Sequence, residues 1–194
     1  MDASDFSHLL SRCPIIAAAK DENGLRESLL SPCRVVFVLY GTIMDIPDIV
    51  NRIYEAGKTP IVHIDLIEGL AARETAADFI RFRTRAAGII STKGILVKRA
   101  KALGLISIQR FFLLDSLAMT SLKKQAAQNA PDVIEMIPGA MPKIIRQVCE
   151  NAAVPVIAGG LILEREDVKN ALMSGAAAIS ASKAEIWSLA EDFY

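Results

Sequence analysis

Ionisable side chains interrupt some of the most apolar segments of the chain. In I-V-H-I-D-L (61–66), the alternation of a strand would place His63 and Asp65 on one face, and Glu135 interrupts V-I-E-M-I in the same way. A buried carboxylate is costly unless it is paired or hydrogen-bonded. We therefore expect these groups to point inward, towards a small polar ligand whose hydroxyl groups they bind. The alternative is a hydrogen-bonded core histidine, with Glu135 paired to a lysine such as Lys20.

Two glycines end the apolar segment V-P-V-I-A-G-G (154–160). Neither has a side chain that could be buried in the core. Glycine costs backbone entropy, so Gly159 and Gly160 indicate either a tight turn or a close approach to the backbone. The segment S-A-S contributes the hydroxyl groups of Ser180 and Ser182 just before an expected helix. Backbone turns, hydroxyl groups and a helix start favour a phosphate site. The alternatives are a simple turn and a capping box in S-K-A-E, which starts at Ser182.

Regularly spaced apolar segments must position these residues. Eight runs rich in β-branched residues begin 18 to 28 residues apart, an interval that fits one strand, one helix and two short loops. Continuously apolar strands joined by helices predict a parallel sheet covered on both faces. The runs are 14–19, 35–39, 60–65, 88–91, 106–111, 133–137, 154–158 and 177–181.

This pattern predicts the α/β class and a single compact (β/α)8 TIM-type barrel. We expect one domain over 1–194, with a short lead-in at 1–13 and the barrel at about 14–190. An open doubly wound sheet is the alternative, although no run has the polarity of an edge strand. In such barrels phosphate often binds after strands seven and eight, where the glycine pair and the S-A-S segment lie.

Composition limits the expected cellular location of the protein and the cofactors it is expected to bind. The chain is 52% hydrophobic but contains no run of about 18 apolar residues, so no membrane span is expected. Acidic residues near the start argue against a signal peptide, and three scattered cysteines indicate free thiols. We therefore expect a cytoplasmic protein with no metal site and no required cofactor.

The net charge of zero hides a strongly basic segment. Between Arg81 and Lys124 ten basic residues stand against one acid, a net charge of +9 that leaves −9 on the rest of the chain. Basic residues on neighbouring outer elements of a barrel favour a polyanion such as RNA, because binding releases counterions. The alternative is an uneven solvated surface. The RNA-binding candidates are Arg81, Arg83, Arg85, Lys98, Arg99, Lys101, Lys123 and Lys124.

With these residues in place, the sequence resembles the glycerol uptake operon antiterminator-regulatory proteins, the GlpP family. The segments that carry the resemblance are P-I-I-A-A-A-K-D (14–21), V-H-I-D-L-I-E-G-L (62–70), G-I-I-S-T (88–92), I-Q-R-F-F-L-L-D-S (108–116), I-E-M-I-P-G (134–139) and V-I-A-G-G-L-I (156–162).

The resemblance implies a cytoplasmic barrel that responds to glycerol 3-phosphate as its effector and acts on the leader mRNA of glycerol-catabolism genes. By position, it implies phosphate contacts from Gly159, Gly160, Ser180 and Ser182. It places His63, Asp65, Arg110 and Glu135 around the glycerol end, and Lys20 is a further ligand-binding candidate at the end of the first strand.

Three further possibilities remain open at this point, and the least specific of them is a phosphate-binding protein with a protein partner. The acidic residues and His63 would also suit a barrel enzyme, such as a lyase, isomerase or prenyltransferase acting on a small phosphorylated polyol. A homo-oligomer is also open, because Phe79, Phe82 and Trp187 could form an apolar surface or belong to the core.

Overall fold

Eight parallel strands alternate with helices and close into a barrel in the computed structural model, which describes residues 1–193. The strands are β1 (Ile15–Ala19), β2 (Val35–Val38), β3 (Thr59–His63), β4 (Gly88–Ser91), β5 (Ile106–Phe112), β6 (Val133–Ile137), β7 (Val156–Gly159) and β8 (Ala178–Ala181). The helices are α1 (Ala3–Arg12), α2 (Glu22–Leu30), α3 (Ile46–Glu55), α4 (Glu74–Arg83), α5 (Gly94–Ala102), α6 (Ser116–Asn129), α7 (Pro142–Asn151), α8 (Arg165–Met173) and α9 (Ala184–Trp187).

The closure of the sheet confirms the predicted barrel and excludes the open sheet. Each strand pairs with the next along the chain, and β8 returns to pair with β1 through the register Ile15 with Ile179. A closed parallel sheet leaves no unpaired strand edge, which agrees with the uniform apolarity of the eight runs. The fold class predicted from strand spacing is therefore correct.

Alternate residues of each strand face two different apolar layers. On β1, Ile15, Ala17 and Ala19 pack with the surrounding helices, whereas Ile16 and Ala18 belong to the barrel interior. This two-sided burial explains why the strands are continuously apolar, because neither face meets water. The interior is packed with side chains and is not a pore.

The first helix closes the amino-terminal end of the barrel. Although the sequence predicts only a short lead-in here, Phe6 and Leu10 of α1 are fully buried and join the interior cluster with Val35 and Ile61. The carboxylate of Asp2 caps α1 by accepting a hydrogen bond from the backbone N–H of Asp5 at 2.9 Å. Residues ahead of β1 are therefore part of the hydrophobic core.

The helices end and pack largely as their sequences indicate. Helix α3 buries Ile46, Ile49, Val50 and Ile53 on one face and is followed by Gly57 in the left-handed conformation (φ +72°). Trp187 of α9 is buried, so it belongs to the core and not to an oligomer surface. Within residues 1–193, none of the helices is both long and apolar enough to cross a bilayer.

The packing of α1 predicts a large effect of truncating Phe6. We expect Phe6→Ala to lower the free energy of unfolding by about 3–5 kcal/mol, because the lost side chain leaves a cavity in the barrel interior. Urea denaturation would measure this change. Leu30→Ala is the matched control, since Leu30 is 90% exposed at the same end of the barrel and should change stability by less than about 0.5 kcal/mol. Equal effects of the two variants would show that α1 is not part of the core.

Candidate functional site

A layer of polar residues lies directly above the apolar barrel interior, at the carboxyl ends of the strands. On each of five strands, the residue in this layer follows an apolar residue of the barrel interior by two positions. Alternate residues of a strand face the same side, so both point into the barrel. The five members are His63, Arg110, Glu135, Gly159 and Ser180. This end of a barrel is the one at which binding sites are usually built.

The carboxylate of Glu135 holds this layer together. Its side chain has no solvent exposure, and the Nε of Arg110 donates a hydrogen bond to its Oε2 at 2.7 Å. The hydroxyl group of Ser180 donates to its Oε1 at 2.8 Å. The alternative pairing with Lys20 does not occur, because Lys20 is exposed beyond the end of β1 while Glu135 is buried against Arg110. The buried charge is thus neutralised and hydrogen-bonded at both oxygens.

Gly159 makes the contact between Glu135 and Ser180 possible. These two side chains belong to β6 and β8, and they meet across β7 at the position of Gly159. A Cβ on Gly159 would lie 2.5 Å from Ser180 Oγ and 2.8 Å from Glu135 Oε1, closer than any methyl group is tolerated. The close approach expected at this glycine is therefore made by the protein's own polar side chains.

Gly160 has a different requirement from Gly159. Its φ of +73° is left-handed, and Leu161 follows with a φ of +59°. Glycine adopts this conformation without the steric cost that a Cβ adds. Of the two explanations offered for the glycine pair, close approach applies to Gly159 and a tight turn applies to Gly160.

Arg110 keeps hydrogen-bond donors available at the mouth of the barrel. A guanidinium group has five N–H donors, and the contact with Glu135 uses the one on Nε. Within residues 1–193 the two Nη atoms donate no hydrogen bond to the protein, although only 10% of the side chain is exposed. A nearly buried group with open donors is suited to bind an anion or a hydroxyl-bearing ligand.

His63 is buried in the same layer and is neutral at physiological pH. The residue is 3% exposed, and its Nδ1 has no hydrogen-bond partner among the described residues. Burial, with a smaller contribution from the positive charge of Arg110, lowers the pKa of His63 to about 4, although Asp65 opposes the shift. The core histidine proposed as an alternative would have satisfied its ring nitrogens, and His63 does not.

Asp65 lies outside the polar layer, which corrects the inward placement expected from strand alternation. Strand β3 ends at His63, and Asp65 follows in a short 3-10 turn. Its carboxylate accepts hydrogen bonds from the hydroxyl group of Ser91 at 2.6 Å and from the hydroxyl and backbone N–H groups of Thr92 at 2.7 and 2.8 Å. Partial burial raises the pKa of Asp65, but these hydrogen bonds outweigh it and hold the pKa below its usual value.

The end of β8 differs from the expected helix-start site. Helix α9 has four residues, and its N-cap Lys183 makes no side-chain cap. Ser182 is exposed and does not cap this helix, so the proposed capping box is absent. A helix this short contributes little dipole, and any anion binding here depends on side chains and local backbone groups.

The basic candidates lie on the outer elements α4, α5 and α6, away from the polar layer. Arg81 is near the end of α4 and donates from Nε to the carbonyl of Leu103 at 3.1 Å. The guanidinium of Arg85 lies 4.9 Å from the centre of the Tyr54 ring. Arg83, Lys98, Lys123 and Lys124 are exposed, and Lys123 also contacts Asn151. These residues form one basic surface, defined here as the exposed cations of α4, α5, α6 and the loop after α4.

Two of the basic candidates are already paired with acids from outside the basic segment. Arg99 forms an ion pair with Asp78 at 2.7 Å, and Lys101 forms one with Asp132 at 3.0 Å. The charge count of the segment alone therefore overstates the free positive charge. Among the described residues the remaining candidates form no ion pair, so Arg81, Arg83 and Arg85 carry most of the open charge at this end.

Sequence reasoning treated the polar residues of the barrel mouth one by one and missed that they form a layer. The sequence did contain a signal for this layer. Ser180, Glu135 and Arg110 each follow an apolar residue of the barrel interior by two positions along their strand. Ser91 and Thr92, at the end of β4, both donate hydroxyl hydrogen bonds to Asp65.

The burial of His63 predicts a specific dependence of stability on pH. The unfolded side chain has a pKa near 6.5 and the folded one about 4, so the unfolded chain binds more protons between these values. The stabilisation by neutral His63 is complete above pH 6.5 and is lost as the pH falls towards 4, by at most about 1.4 kcal/mol per pH unit. Urea denaturation from pH 7 to 4.5 measures this slope.

His63→Gln should flatten that slope, while His8→Gln should retain it. His8 is the other of the two histidines of the chain and is exposed on α1. An unchanged slope in His63→Gln would contradict the assignment.

The family and the relatives of the chain agree with this architecture. Residues 15–187 match the glycerol-3-phosphate responsive antiterminator family. A protein of Escherichia coli strain K12, described as uncharacterized protein YgcP, is 43% identical over 184 residues, which cover 95% of this chain and 96% of that protein.

Two solved structures share both the fold and substantial identity. The glycerol uptake operon antiterminator regulatory protein from Listeria monocytogenes superposes with a TM-score of 0.86 at 32% identity, covering 89% of this chain and 94% of that one. A glycerol uptake operon antiterminator-related protein from Thermotoga maritima has a TM-score of 0.80 at 33% identity, covering 90% and 98%. The chain therefore belongs to the glycerol-3-phosphate responsive antiterminator family.

Proposed function

We propose that this protein is a transcription antiterminator that binds glycerol 3-phosphate at the carboxyl ends of its strands and leader mRNA of glycerol-catabolism genes on its basic surface. Family membership supports the response to glycerol 3-phosphate. The observation that carries the ligand site is Arg110, which is nearly buried beside Glu135 and keeps its Nη donors open. The family is one of regulators, so it lends no support to the enzyme alternative.

The phosphate end of the ligand would lie beside β7 and β8. Arg110 supplies charged donors, the turn at Gly160 supplies backbone groups, and Ser182 has a free hydroxyl group at the rim. Gly159 and Ser180 serve this end indirectly, because they hold Glu135 in place. Lys20 follows β1, the strand that pairs with β8, and adds positive charge at the same rim.

The glycerol end would face β3. The Nδ1 of His63 is the buried nitrogen with no partner, and a neutral imidazole can donate to or accept from a hydroxyl group. Asp65 and Glu135 already accept hydrogen bonds at both carboxylate oxygens. Their role is therefore to position Thr92 and Arg110 more than to bind hydroxyl groups themselves.

Ligand and RNA must be linked by a difference in affinity between two states of the protein. Glycerol 3-phosphate shifts RNA binding only if it binds the RNA-competent state more tightly than the other state. The linkage is reciprocal, so RNA must tighten the ligand by the same factor. The proposed function thus includes a coupling that can be measured from either side.

Arg110→Lys tests the ligand site. Lysine keeps a positive charge beside Glu135 but loses the guanidinium fork, so the affinity for glycerol 3-phosphate should fall about 10- to 100-fold. Isothermal titration calorimetry of the wild type with glycerol 3-phosphate, inorganic phosphate and glycerol supplies the reference. Arg146→Lys, an exposed substitution on α7, should leave the affinity unchanged. Equal affinities for Arg110→Lys and the wild type would place the ligand elsewhere.

Charge reversal tests the RNA surface. Changing Arg81, Arg83 and Arg85 to Glu should weaken binding of the leader mRNA by about tenfold or more and should flatten its dependence on salt, because phosphate contacts are lost. Filter binding at several salt concentrations, with glycerol 3-phosphate present, measures both quantities.

The matched control reverses three exposed cations elsewhere on the barrel that also form no ion pair among the described residues: Arg12, Lys143 and Arg146. It changes the net charge equally but removes no residue of the basic surface. Equal losses in the two triple variants would mean that net charge alone, and not this surface, governs RNA binding.

A further inference from the structure

Two exposed aromatic side chains lie at the amino-terminal end of the barrel, beside the cations Arg81, Arg83 and Arg85 of the basic surface. Tyr54 is 52% exposed and Phe82 is 71% exposed. Each is the second-last residue of its helix, in α3 and α4 respectively, and these helices are consecutive around the barrel. Neither residue serves the ligand site at the opposite end of the strands.

Tyr54 is surrounded by basic side chains. The guanidinium of Arg85 lies 4.9 Å from the ring centre, within the range of a cation–π contact. Tyr54, Arg81 and Arg85 line a cavity of about 290 Å³ between the ends of α3, α4 and α5. Arg81 is held there by its hydrogen bond to the carbonyl of Leu103. The cavity is therefore lined by one aromatic ring, which carries the guanidinium of Arg85 over one of its faces, and by the cationic side chain of Arg81.

Phe82 does not contribute to the buried core of the protein. It stands between Arg81 and Arg83 along α4, while the buried face of that helix is formed by Ala76, Ala77 and Ile80. All charged side chains over 81–85 are positive. An apolar ring held among cations suits a partner that is both planar and anionic.

We propose that Tyr54 and Phe82 are stacking platforms for unpaired bases, and that the basic surface accordingly takes RNA in a single-stranded segment. The proposal rests on the proposed function, because it names the form of the RNA that the basic surface binds. Arg81, Arg83 and Arg85 contact the backbone phosphates, and the rings contact the bases that lie between them. In this proposal one base enters the cavity lined by Tyr54, Arg81 and Arg85.

Chemistry favours unpaired RNA over a duplex at this surface. The faces of the bases in an A-form helix are stacked on one another, and its deep, narrow groove excludes aromatic side chains. A duplex would therefore use the arginines but gain nothing from the rings. Unpaired bases use both, since every base presents a face to an aromatic ring.

The experiment compares one leader mRNA segment in single-stranded form with the same segment annealed to its complement. Fluorescence anisotropy would be recorded at several salt concentrations, with glycerol 3-phosphate present. The variants are Tyr54→Ala, Phe82→Ala, the double variant and Tyr54→Phe, which keeps the ring. Leu30→Ala is the control, because it removes an exposed apolar side chain at the same end of the barrel but outside the basic surface.

Each alanine variant should weaken single-stranded binding about tenfold and change duplex binding less than about twofold. The slope of affinity against salt should stay at the wild-type value, because no phosphate contact is removed. Tyr54→Phe and Leu30→Ala should bind as the wild type does.

Unchanged single-stranded binding of the double variant, alongside normal wild-type binding, would overturn the stacking proposal while leaving the proposed function intact. Equal losses for single-stranded and duplex RNA would also overturn it, because the rings would then act through the fold. A wild type that binds neither RNA form would overturn the proposed function itself, and the stacking proposal with it.

Discussion

The carboxylate of Glu135 has no access to water, and much of the barrel mouth is arranged around that constraint. An isolated buried charge costs several kcal/mol, so Glu135 requires partners on both sides. Arg110 supplies the opposite charge from β5, and Ser180 supplies a hydroxyl donor from β8. The second contact has to cross β7, which is possible only because position 159 is glycine. The burial of one side chain thus constrains which residues can stand on β5, β7 and β8.

This arrangement leaves selected polar groups open at the carboxyl ends of the strands. Glu135 orients Arg110 through Nε, and the Nη donors remain available at the mouth. His63, on β3, is buried, and its Nδ1 has no hydrogen-bond partner among the described residues. Buried polar atoms without partners destabilise a fold, and a ligand that supplies the missing hydrogen bonds recovers that free energy on binding. The same features that weaken the ligand-free barrel thus favour an occupied one.

The two ends of the barrel differ in structure. The amino-terminal end is closed by Phe6 and Leu10 of α1, so the proposed ligand would enter from the opposite end. The basic surface and its exposed rings lie on the outer helices, and Tyr54 and Phe82 stand at the closed end. Effector and RNA would therefore occupy separate regions of one molecule, which is the arrangement that linkage between two ligands requires.

Sequence reasoning predicted the repeating part of the structure well. Strand positions, the closed parallel barrel and the helix ending before Gly57 follow from apolar periodicity and from glycine conformation, which are local properties. It was wrong about Asp65, because alternation holds only while a strand continues and β3 ends at His63. It also overstated the free charge of the basic segment, since Asp78 and Asp132 lie outside that segment in sequence but beside it in space.

By itself, the sequence determined the fold class, the inward position of polar residues on the strands and the existence of a basic segment, because spacing and residue type control each of these. Only the tertiary structure decided which side chains contact one another. The partner of Glu135 is Arg110 and not Lys20, and Gly159 is required by two side chains that come from β6 and β8. Such contacts depend on strand register and barrel closure, which bring together residues 25 and 45 positions apart and leave no trace in local sequence.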